Sequence, residues 1–97
     1  MIKLNRLAEQ CREVALRKHR ITSDSSHRGL MKTISVKWRN LWNASPEQRS
    51  ENLPKWSYCE ETAADIIVGA LTYLQSIGCK NIEQLIKDKA GYDEGHD

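Results

Sequence analysis

The run Glu61-Thr62-Ala63-Ala64-Asp65-Ile66-Ile67-Val68-Gly69-Ala70-Leu71-Thr72-Tyr73-Leu74 reads as helix, and inside it Asp65 is the only charged residue between Glu61 and Lys80. Apolar side chains at Cys59, Ala63, Ile66, Ile67, Ala70, Leu71, Leu74 and Ile77 recur at the three- and four-residue spacing of an α-helix. Val68, Gly69 and Tyr73 lie off that stripe, so the helix is apolar nearly all round, as a central helix or a subunit interface requires. The pattern predicts a helix from Trp56 or Ser57 to Ile77, with Gly78 leaving it in the left-handed conformation.

A carboxylate placed in such a run is expected to be buried, and a buried charge must find a metal, a cation or hydrogen-bond donors. Glu61, one turn earlier, projects beside Asp65. At about 100° per residue Glu61, Asp65 and Thr72 share one narrow arc, with Tyr58 and Gly69 close to it. Two carboxylates and a hydroxyl are hard oxygen ligands of the kind Mg²⁺ takes. An Asp paired with a Lys or Arg of a neighbouring helix satisfies the same residues without a metal.

Outward from this helix, Leu4, Leu7, Ala8, Cys11, Val14 and Ala15 define a first helix ending near Lys18. Ile21 to Gly29 is rich in turn formers and reads as a loop. Leu30, Ile34, Trp38, Leu41 and Trp42 give a second helix from about Gly29 to Asn43. Ser45-Pro46-Glu47-Gln48 combines a capping Ser, a Pro at the first helical position and a Gln at the capping-box position, which predicts a short helix in the 45–54 linker, stopped by Pro54. After Gly78, Asn81 caps a last helix with Ile82, Leu85 and Ile86 facing inward, and Glu94 to Asp97 are expected to fray. No strand pattern or repeat is present. The fold class is all-α, a small helical bundle of four main helices plus the short linker helix, in one domain spanning 1–97.

At 97 residues the core is small, and oligomerisation would support it. Charged residues at 29% and apolar residues at 39% exclude a chain that is disordered for most of its length. A formal charge of +2 does not by itself argue for nucleic acid. The basic residues gather in the first half, from Arg12 to Arg39, and the second half is acidic. Such asymmetry suits either an anionic ligand or an ordinary solvated face. Cys11, Cys59 and Cys79 show no metal-binding spacing and read as reduced thiols, so a cytoplasmic protein is expected. No apolar run approaches the ~20 residues a bilayer requires. His19, His27 and His96 do not cluster, and Trp38, Trp42 and Trp56 read as core or interface residues before base-stacking platforms. Lys87 and Lys89, with Tyr92 and Asp93, offer phosphate contacts and an aromatic surface, although lysines late in a helix are also favoured by its dipole.

The order of these pieces resembles the MazG-like all-α nucleoside triphosphate pyrophosphohydrolases. Ala64-Asp65-Ile66-Ile67, Leu71, Gly78, Glu83, Ile86, Lys89 and Tyr92 sit where that pattern would place them. The resemblance is closest from Glu61 to Asp93. It implies Mg²⁺-dependent attack of water on a nucleoside triphosphate, releasing monophosphate and pyrophosphate, by a homodimer or higher homo-oligomer. Glu61 and Asp65 would be the catalytic metal ligands, and Lys89, Tyr92 and Asp93 would bind the nucleotide. The family's Glu-x-x-Glu on the second helix falls at Val36 and Arg39, and the Glu of its Glu-x-x-Asp at Thr62. With those acids missing, Arg39 is expected to pair with Asp65 or Glu61, Lys37 being the other nearby cation. Two readings follow besides hydrolysis: a catalytically lapsed relative acting as a nucleotide-binding or protein-interaction module, and, less favoured, a small nucleic-acid-binding bundle.

Overall fold

The computed structural model describes residues 3–95, and its helices are α1 (Leu4–Arg17), α2 (His27–Trp42), α3 (Tyr58–Ser76) and α4 (Ile82–Gly95). The all-α expectation holds, with no strand among the described residues beyond one isolated bridge. None of these helices is long and apolar enough to cross a membrane. His96 and Asp97 lie outside the described residues.

α3 is the axis of the molecule. α1, α2 and α4 all pack against it, while among the described residues α1 and α2 make no backbone approach to each other. On α2, Ile34 sits so close to Gly69 that a Cβ there would lie 2.9 Å from Ile34 Cγ1, which sets the α2–α3 seam. On the α1 side, Ala8, Leu71 and Ile82 form the buried core, with Leu4, Leu7, Cys11, Leu74 and Cys79 packed around them. The ends of α1 and α4 cap each other. Leu4 N–H donates to Glu83 Oε1 and Glu83 N–H donates to Asn5 Oδ1, so donors left over at each helix start find a partner on the other.

Local signals for helix ends are largely realised. Ser57 and Glu60 close a reciprocal capping box at the start of α3. Gly78 has φ +84, and Gly78 N–H and Cys79 N–H donate to the carbonyls of Gln75 and Leu74. α1 ends by the same device at a residue that is not glycine: His19 has φ 57, and His19 N–H and Arg20 N–H donate to Leu16 and Ala15. α2 begins two residues before the expected Gly29, because Ser26 Oγ accepts from Gly29 N–H.

Three expectations are corrected. The 45–54 linker forms turns in place of a short helix, because Ser45 Oγ donates to Glu47 and Tyr58 N–H donates to Gln48, drawing the segment back along the start of α3. Of the residues expected to face inward on α4 only Ile82 is buried, since the helix docks by its first turn and leaves Leu85 and Ile86 exposed. Within the apolar stripe of α3 only Leu71 is fully buried, Cys59, Ala63, Ile66, Ala70 and Leu74 are partly covered and Ile67 and Ile77 are exposed, whereas Thr62 and Thr72 are buried.

Candidate functional site

Because α1 and α2 rest on α3 without meeting, a cleft of about 700 Å³ opens between them with α3 as its floor. Leu7, Val14 and Val68 give it apolar walls, and Arg20, Lys37, Asn52, Glu61, Asp65 and Thr72 supply its polar groups. The arc read from the sequence is therefore real: Glu61, Asp65, Gly69 and Thr72 line one cavity. Its setting is not the expected one. Asp65 is not buried; its side chain is 38% exposed at the cleft.

The counter-ion of Asp65 is Lys37, with Nζ 3.3 Å from Oδ2. Arg39 does not fill this role, which corrects that expectation; it lines a separate groove with Ile34, Ser35, Trp38 and Trp42. The difference follows from helical spacing, since Lys37 lies one turn beyond Thr33 and two turns beyond Leu30 on the cleft side of α2, whereas Arg39 is rotated from it by about 200°. With both partners more than a third exposed, the pair contributes at most about 1 kcal/mol. Its importance is positional.

Glu61 is held by the linker. Ser50, 2% exposed, donates from its hydroxyl to Glu61 Oε1 at 2.6 Å and accepts from Leu53 N–H at 2.9 Å, while Asn52 Nδ2 donates to Glu61 Oε2 at 3.4 Å. The Ser50 hydroxyl foremost, then the Asn52 amide and the Lys37 ammonium, hold the Glu61 carboxyl below the usual carboxylate range. Ser50 and Asn52 were missed by sequence reasoning, which assigned them to a short helix. The available signal was the turn-forming run Ser50-Glu51-Asn52 ahead of Leu53-Pro54. A smaller cavity of about 400 Å³, lined by Asn40, Asn43, Gln48 and Tyr58, adjoins the cleft through Asn52 and Glu61.

Ser50→Ala is expected to lower stability by about 1–2 kcal/mol at neutral pH, because the Leu53 N–H loses its acceptor and Glu61 its closest donor. A carboxyl whose pKa is depressed in the folded chain contributes stability above its ordinary pKa, and that stability is lost as pH falls through the folded value. The gap between wild type and variant should therefore be smaller at a pH below the ordinary carboxylate range than at neutral pH. Urea denaturation at both pH values measures it, and a gap that widens in acid would contradict the assignment.

Thr72 Oγ1 donates to the Val68 carbonyl at 2.8 Å, an intrahelical bond that uses its proton. Lys89, Tyr92 and Asp93 do not line the cleft. They meet one another on α4: Lys89 Nζ is 2.7 Å from Asp93 Oδ1 and 5.2 Å from the Tyr92 ring centroid. Cys11, Cys59 and Cys79 are free thiols, and burial pushes the Cys11 thiol up.

As a cation site the arrangement is poorly equipped. Among the described residues no three His, Cys, Asp or Glu side chains come together in a metal-binding group. Both Glu61 oxygens are occupied by protein donors and Asp65 faces an ammonium. The residues present do not fit a hard divalent ion that depends on carboxylate charge. Comparison of the chain with protein-family models, with curated proteins and with solved structures finds no match.

Proposed function

We propose that this chain is a catalytically lapsed relative of the MazG-like bundles, which keeps the helical scaffold for protein association and no longer hydrolyses nucleotides. The observation that carries the reading is Lys37 Nζ at 3.3 Å from Asp65, where hydrolysis would need Mg²⁺. An ammonium offsets the charge of Asp65, but it cannot coordinate a water, lower its pKa and bridge phosphate oxygens, which are the services of the metal in this chemistry. The charges lining the cleft also balance, Lys37 and Arg20 against Glu61 and Asp65. Such a cleft offers no excess of positive charge for a triphosphate.

The scaffold, by contrast, leaves much apolar surface open. Trp38, Trp42, Ile67 and Ile77 are each more than half exposed, and α2 has no buried residue. Trp38 and Trp42 adjoin, with ring centroids 6.5 Å apart, and exposed apolar patches mark association sites.

The purified chain, incubated with a panel of nucleoside triphosphates and Mg²⁺ or Mn²⁺, is expected to release no pyrophosphate above a protein-free control. Asp65→Asn is expected to leave that baseline where it is. Metal-dependent release that disappears in Asp65→Asn would overturn the lapsed reading and restore Glu61 and Asp65 as metal ligands.

A further inference from the structure

Alone among the helices described, α2 has neither a buried residue nor an acidic one. Along it Arg28, Met31, Ser35, Trp38 and Trp42 follow at intervals of three, four, three and four residues, and all are exposed. That alternation keeps side chains in one line, the repeat by which two helices pack lengthwise. Lys32 and Arg39, seven residues apart, flank the line on one side. Ile34 and Leu41 flank it on the other, and Ile34 meets Gly69, so that flank is turned toward α3. Between the line and its flanks, Ile34, Ser35, Trp38, Arg39 and Trp42 form a groove of about 480 Å³.

The charges on this outer face are unanswered. Lys37, on the cleft side, is engaged by Asp65, whereas among the described residues Arg28, Lys32 and Arg39 pair with no carboxylate. A second copy of α2 would not answer them. Laid antiparallel, two such helices set the Lys32–Arg39 flank against itself, and laid parallel they set Arg28 against Arg28, like charges in either case. A phosphate chain or an anionic bilayer would meet the charge, but neither has a repeat that matches the three-and-four spacing of the line. A helix has that repeat, and acidic residues beside its apolar seam would meet Lys32 and Arg39 as well.

We infer that the outward face of α2 docks an acidic amphipathic helix of a different protein. Its apolar residues pack on Met31, Trp38 and Trp42, and its Asp and Glu side chains face Lys32 and Arg39. The tryptophans and Arg39 are the residue types that dominate binding energy where a partner side chain enters a groove. This deepens the association half of the function proposed above and rests on it. It fails separately from the lapsed chemistry, because its test uses no nucleoside triphosphate.

The probe is a labelled synthetic peptide of three heptads with Leu at the seam positions and Glu at the flanking ones, beside a counterpart with Lys in place of Glu. Fluorescence anisotropy during titration with the full chain is expected to show binding of the Glu peptide and not of the Lys peptide. Trp38→Ala, at a side chain already 59% exposed, should keep its helical circular dichroism and bind the Glu peptide at least about 10-fold more weakly. The double variant Lys32→Glu/Arg39→Glu should lose the Glu peptide by at least about 100-fold and take up the Lys peptide, a gain that misfolding cannot produce. Lys80→Glu, beyond α3, should stay within about twofold of wild type. A wild-type chain that binds neither peptide at about 1 mM, or both alike, overturns the inference. So does tighter capture of single-stranded oligothymidylate or of phosphatidylserine vesicles than of the Glu peptide. Glu-peptide binding that survives the double reversal overturns it too, and leaves the association reading standing on another surface.

Discussion

Ile82→Ala is expected to lower the stability of the chain by about 3 kcal/mol, the cost of removing a large aliphatic side chain from a packed core. Ile82 is 1% exposed and is one of the two largest fully buried side chains, in a core whose other buried members are Ala8 and Leu71. It is the first residue of α4, so the cavity opens where that helix docks. Since Leu85 and Ile86 are exposed, nothing later in α4 replaces the lost contact. The hydrogen bonds between Leu4 and Glu83 and between Glu83 and Asn5 depend on the same docking. The truncation should therefore loosen the start of α1 as well as α4. Leu85→Ala serves as the control, being 43% exposed, and should cost less than about 1 kcal/mol. Equilibrium urea denaturation of the two variants measures the difference. Equal losses would mean that α4 is held along its length and not by its first turn.

The parts of this fold that were legible in the sequence are those decided within a few residues. The Leu4 to Ala15 stripe, the Ser57–Glu60 box and the left-handed Gly78 each depend on a local pattern, and each is present. His19 adopts the same left-handed conformation without glycine as a signal, so the end of α1 was legible only approximately. The linker shows local chemistry overruled by tertiary structure. Ser45-Pro46-Glu47-Gln48 is a helix start by composition, yet Gln48 O accepts from Tyr58 N–H and Ser50 N–H donates to Trp56 O, so the linker backbone is spent on a return path. That path brings Ser50 to Glu61.

The candidate site was legible as a set and not as an environment. Helical spacing placed Glu61, Asp65 and Thr72 together, and they do line one cleft. Spacing says which residues share a face but not which neighbour covers it. Asp65 read as buried because the run around it is apolar; it is half-exposed because α1 and α2 stand apart at that point. The choice between Lys37 and Arg39 depended on how α2 is rotated against α3. The close approach of Ile34 to Gly69 fixes that rotation, and no one-dimensional pattern records it.

Gly69→Leu is expected to destabilise the chain by about 2–3 kcal/mol and to separate Lys37 from Asp65, because the new side chain must enter the seam that aligns them. A Cβ alone at this position would stand 2.9 Å from Ile34 Cγ1, closer than carbon atoms pack, and Cγ1 sits at the branched root of the side chain, where little rotation is available. For Gly69→Ala two effects oppose each other. Replacing a helical glycine gains about 1 kcal/mol of propensity, and a small shift of Ile34 takes most of it back. Leucine gains no more propensity and adds three further carbons, so the steric term wins. If the seam is the cause, shortening its other wall should relieve it: Ile34→Ala combined with Gly69→Leu should cost at least about 1 kcal/mol less than the two single changes added together. Denaturation of the four chains in the cycle measures that coupling. Additive losses would place the strain elsewhere, and Lys37 would then owe its position beside Asp65 to something other than the Ile34–Gly69 contact.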